Sequence, residues 1–83
     1  MNDLPLYARV ALSRDFEEFE LRAGDVATLV DYVPHPGGGP QGCVLEVFNA
    51  LGESIAVITV ASSEIVPLRA DEVLSVRHLA RAG

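Results

Sequence analysis

Few side chains in this sequence carry the chemistry a site needs, and their spacing decides what they can do. The single cysteine, Cys43, closes the stretch "VPHPGGGPQGC" (33–43), which also holds His35. A thiol and an imidazole together suggest nucleophilic catalysis or metal binding. Catalysis would further require a group to orient the histidine and donors for an oxyanion. A structural zinc site requires four ligands, and the chain offers Cys43, His35 and His78. Cys43 therefore reads as a small apolar core residue and His35 as an exposed loop residue. Gly37, Gly38 and Gly39 resemble a phosphate cradle, but no lysine and hydroxyl pair follows them. They lead into a strand, so no helix N-terminus is presented to a phosphate or a dinucleotide. The expectation is a hairpin-connecting loop, with no cofactor, no metal and no enzymatic activity. A small-molecule or metal-dependent activity around His35 and Cys43 is the alternative from another class.

The second constellation is "DFEEFE" (15–20), where Phe16 and Phe19 alternate with Asp15, Glu17, Glu18 and Glu20. Carboxylates interleaved with aromatic rings suit docking of a basic partner, an aromatic ring anchoring while the charges steer. Phe16, Glu17, Glu18, Phe19 and Glu20 are thus candidate partner-binding residues. The plainer alternative is that one phenylalanine closes the end of the fold and the carboxylates are simply solvated. Acid–base catalysis by paired carboxylates would need a concave pocket, which a domain this small seldom encloses.

Net charge sharpens the choice of partner. Six arginines face twelve acidic residues, with no lysine, giving −6. Nucleic-acid binding rests on cations that neutralise phosphates, so this chain would mostly repel nucleic acid. A nucleic-acid-binding barrel of the KOW type remains a further alternative on the "GDVATLV" pattern alone. The apolar runs are short, the longest being "IAVITVA" (55–61), so no membrane helix of about 20 residues is expected. The start "MNDLPLYARV" has no basic segment leading into an apolar one, and one cysteine makes no internal disulfide. A cytoplasmic protein is expected.

These residues must be positioned by short elements. At 83 residues and 49% apolar content the chain suits one small domain. "YARVALSR" (7–14) and the β-branched "VATLVDYV" (26–33) read as strands flanking the acidic loop, which ends in the turn signal Ala23-Gly24-Asp25. "CVLEVFN" (43–49) alternates, with Cys43, Leu45 and Val47 on one face. "ALGES" reads as a hairpin turn. "IAVITV" (55–60), apolar on both faces, reads as a central strand. "ASSEI" (61–65) suits a short 3₁₀ turn, and "VPL" (66–68) a last strand whose Pro67 belongs at an edge. "RADEVLSVRHLARA" then changes period and predicts a helix over about 70–81. Asp71 would cap it, Val73, Val76 and Ala80 would form its apolar stripe, and Arg77, His78 and Arg81 would lie near its C-terminal end. Such a helix is unstable alone and must dock, on its own barrel or on another chain, so Val73, Val76 and Arg77 join the candidate contact residues and a homodimer through this helix is one arrangement.

Five strands, a long first loop, a central hairpin and a 3₁₀ turn before the last strand predict an all-β, five-stranded SH3-like barrel with a short C-terminal helix. "VALSRDFEEFELRAGDVATLVDYV" followed by "FNALGESIAVITVASSEIVPL" resembles the uncharacterised bacterial family catalogued as domain of unknown function 4926. The resemblance covers about residues 7–68 and is sharpest at "RAGDVATLV", where Ala27 stands at the family's common glycine. It implies an SH3-like barrel and brings no established chemistry. The resulting expectation is a non-enzymatic module that docks a partner protein through its acidic surface, as a small antitoxin-like or immunity-like protein would mask a basic partner.

Overall fold

A computed structural model describes residues 4–34, 37–39 and 41–79. Five antiparallel strands form one sheet: β1 (Arg9–Leu12), β2 (Val26–Val33), β3 (Gly42–Phe48), β4 (Ser54–Ala61) and β5 (Ile65–Pro67). Their order across the sheet is β4-β3-β2-β1-β5. The first four strands form a meander, and a 3₁₀ turn (Ser62–Glu64) returns the chain so that β5 lies beside β1. β4 and β5 end the sheet without pairing, so the barrel is not closed.

Alternation builds the core. On β1 Val10 and Leu12 point inward, on β3 Cys43, Leu45 and Val47 do, and on β4 Ile58 and Val60. These side chains gather on one face of the sheet with Ala27, Leu29 and Ile65. β2 serves both halves, pairing with β1 through Val26–Thr28 and with β3 through Thr28–Val33. A bulge between Leu29 and Asp31 adds local twist where the strand passes from one partner to the other. Gly52 sits at φ +83° in the β3–β4 turn, a conformation that a side chain would strain. Asn49 organises that turn: its side-chain oxygen accepts from the amides of Leu51 and Glu53, at 3.0 and 2.9 Å.

Two expectations are corrected here. Among the described residues β4 is an edge strand, paired with β3 alone, and its Val57 is 62% exposed. Its apolar composition on both faces therefore does not reflect burial on both faces. The C-terminal helix is absent from the described part of 70–81: residues 72–79 have no regular secondary structure, and residues 80 and 81 lie outside the described residues. A local turn competes with the helix, as the Glu72 carboxylate accepts from the Arg69 amide and the Glu72 amide donates to the Arg69 carbonyl. Asp71, the expected cap, instead meets the Arg69 guanidinium at 3.3 Å. Val73 and Val76, whose β-branching weakens a helix, are 91% and 85% exposed. No helix among the described residues is long and apolar enough to cross a membrane.

Candidate functional site

The acidic stretch is a small closed structure on the sheet. Phe16 and Leu21 exchange backbone hydrogen bonds, at 2.8 and 3.1 Å, and both side chains are buried. Between them Glu17–Phe19 form a single 3₁₀ turn, and Glu20 at φ 59° takes the left-handed conformation that brings the chain back. Asp15 accepts from the Ala23 amide at 2.8 Å, and Gly24 donates to the Leu12 carbonyl at 2.8 Å, fastening the base of the loop to β1. The outcome is a rigid base with an exposed acidic tip: Glu17, Glu18 and Glu20 all face solvent.

The two phenylalanines divide their roles. Phe16 is 2% exposed, so it is the floor of the loop rather than a contact surface. Phe19 is 37% exposed and stacks on it, with ring centroids 6.0 Å apart. The Arg14 guanidinium lies 3.8 Å from the centroid of the Phe16 ring. Its Nε donates to the Glu64 carboxylate at 2.6 Å, and the other oxygen of Glu64 accepts from the Ala61 amide. The Arg14 hydrogen bond holds the Glu64 carboxyl below its ordinary range despite some desolvation, helped by the Ala61 amide and the positive charge of Arg14. Glu64 thereby ties the acidic loop to the turn that precedes β5.

Between these pieces lies an open groove of about 520 Å³. Arg14, Glu18 and Phe19 form one wall, Val33 and Pro34 a second, and Thr59, Ala61 and Glu64 a third. Sequence reasoning located the acidic wall. It missed Arg14, Thr59 and Glu64, because partners 50 residues apart leave no local signal. Val33 and Pro34 belong to the Gly/Pro stretch, whose near end thus borders the groove. His35 lies outside the described residues. Cys43 is 1% exposed and faces the core, far from any role as a surface nucleophile. Among the described residues no group of three or more His, Cys, Asp and Glu side chains is placed to hold a metal ion.

Val73, Val76 and Arg77 are not brought to this groove. They belong to an irregular strap after β5, over a larger cleft of about 1020 Å³ whose walls include Ala11, Val26, Val47 and the strap itself. The acidic groove is the better site despite its smaller volume, because the larger cleft owes one of its walls to a segment without regular structure. Both guanidinium nitrogens Nε and Nη2 of Arg77 reach the Asp25 carboxylate, the first at 2.9 Å. Desolvation pushes the Asp25 carboxyl up, but the Arg77 hydrogen bond, the Arg22 amide and both positive charges outweigh it and leave it below its ordinary range. The same hydrogen bond raises Arg77. A carboxyl depressed in the folded state stabilises at pH values above its unfolded pKa, and that stabilisation is lost as pH falls through the folded pKa. Attachment of the strap should therefore be intact at neutral pH and fail in acid. Asp25→Asn should mimic this at neutral pH, raising trypsin cleavage after Arg77 about fivefold for a pair contributing about 1 kcal/mol. An unchanged cleavage rate would show that the ion pair does not hold the strap.

Residues 6–67 match the family model described as Domain of unknown function (DUF4926), and the chain belongs to that family. Searches of curated proteins and of solved structures gave no match.

Proposed function

We propose that this member of an uncharacterised family is a non-enzymatic interaction module, an SH3-like barrel left open between its edge strands, that binds a basic, extended segment of a partner protein. Its strand order, long first loop and 3₁₀ turn before the last strand support that fold reading. The observation that carries the function is Phe19: a half-exposed ring, stacked on a buried one, stands at the rim of a groove that Glu18 also lines, and Glu17 and Glu20 are exposed on the same short turn. Such a ring offers apolar contact at little entropic cost, since Phe16 already holds it in place. The carboxylates raise the encounter rate with a cation and disfavour acidic competitors. Arg14 is engaged with the Glu64 carboxylate and the Phe16 ring. The partner's basic side chains lie along the acidic wall, and its apolar residues rest on Phe19, Val33 and Pro34.

The test uses a fluorescently labelled peptide of alternating arginine and proline, with a glutamate–proline peptide as control. The arginine peptide should bind and weaken as salt rises, and the glutamate peptide should not bind. Replacing Glu17, Glu18 and Glu20 by lysine together should weaken binding roughly a hundredfold, at about 1 kcal/mol per exposed charge. The melting temperature should fall by no more than a few degrees, because all three residues are exposed. Equal affinity for the two peptides, or full binding by the triple variant, would sink this reading.

A further inference from the structure

We propose that the free edge of β4 pairs antiparallel with β4 of a second copy of this chain, joining two five-stranded sheets into one across a two-fold axis. The proposal does not depend on the groove, which meets β4 only near its C-terminal end, at Thr59–Ala61.

β4 has the features that a guarded edge lacks. It spans eight residues, "SIAVITVA", with no charge, no proline and no glycine. Natural edges are blunted by lysine, proline, short length or bulges. β5, at the opposite edge, follows that rule: it has three residues and ends in Pro67. On β4 the bulge lies at the start, between the pairs Val47–Ala56 and Phe48–Ser54, leaving 56–61 in regular register with β3. Among the described residues, the backbone groups of 55–60 make no hydrogen bonds beyond the ladder with β3. Val57 and Thr59 project from the outer face, Val57 at 62% exposure.

Charge identifies the occupant. A strand carrying charge of either sign would gain nothing from an edge that has no charged side chain of its own. A second β4 brings no charge to the seam. In the register centred on Val57, Val57 faces Val57 of the other copy and Ala56 faces Ile58 on the core side, so apolar residues meet on both faces. The nearest outer-face acid is Glu46, beside Val57 on β3. Its counterpart would lie three strand spacings away, about 14 Å, beyond the Debye length of about 8 Å at physiological salt. Pairing consumes both β4 edges and leaves only the short β5 edges, so assembly closes at two copies.

A single strand pair buries little surface, and a weak dimer is expected. Light scattering on the full chain at rising concentration should show the mass climbing from 8.9 kDa towards twice that value. Val57→Lys places like charges opposite each other and should hold the chain at 8.9 kDa throughout, with circular dichroism confirming the fold. Val57→Cys should form a disulfide-linked dimer under mild oxidation, whereas Leu51→Cys, 85% exposed in the β3–β4 turn, should not. A wild-type monomer at every concentration, a dimer that survives Val57→Lys, or assembly beyond two copies would each overturn the proposal.

Discussion

Replacing Phe16 with alanine should cost about 3–5 kcal/mol, the range for removing a buried aromatic ring. A domain of this length has roughly 4–12 kcal/mol in all, so the variant should melt at least about 12 °C lower or fail to fold. Its burial and two specific contacts are lost together. The ring is 2% exposed, it carries the Phe19 ring, and it lies under the Arg14 guanidinium. The cavity cannot collapse easily, because Phe16 and Leu21 are fixed to each other by backbone hydrogen bonds. Phe19→Ala should behave in the opposite way. At 37% exposure it loses a stacking contact of about 1 kcal/mol, a shift of a few degrees, while the arginine–proline peptide loses its anchor. Thermal melts of both variants, beside peptide titration of Phe19→Ala, separate floor from anchor. Equal melting shifts for the two would contradict this division.

The legibility of the chain follows the range of the forces involved. β2 over 26–33 was readable because β-branched residues and flanking turn residues act locally. The inward set Cys43, Leu45 and Val47 was readable from alternation, and Pro67 marked an edge because it lacks an amide proton. Position in the sheet was not readable for β4. Side-chain composition describes the two faces of a strand, whereas an edge is a property of its backbone neighbours. The C-terminal stretch failed for a related reason. Its periodicity fits a helix, but Arg77 bonds to Asp25, 52 residues away, and a segment anchored by such a contact follows its anchor rather than its propensity. Asp25 itself read only as a turn residue. In the site, the acidic tip was plain from composition, while the Arg14–Glu64 tie that fixes its orientation joins two distant turns.

Leu45→Ala tests whether the unclosed sheet has one shared core. Leu45 is fully buried and lies between Leu29 on β2 and Ile58 on β4, themselves 0% and 5% exposed. The loss should fall in the upper half of the 2–5 kcal/mol range for such truncations, since three paired strands restrain the walls of the cavity. Urea unfolding should show a lower midpoint with an unchanged slope. One residue along, Thr28, Glu46 and Val57 form the corresponding row on the outer face, and Val57→Thr should stay within about 0.5 kcal/mol of the parent. Leu29→Ala combined with Leu45→Ala should cost less than the sum of the single losses, because the two cavities merge. Additive losses would mean that β2 and β3 bury separate clusters. Peptide binding adds the decisive link: the acidic loop is bounded by β1 and β2, whereas Val33, Thr59 and Ala61 of the groove come from β2 and β4. If this row joins those strands, binding by Leu45→Ala should fall in step with the folded fraction as urea rises, rather than at a separate midpoint.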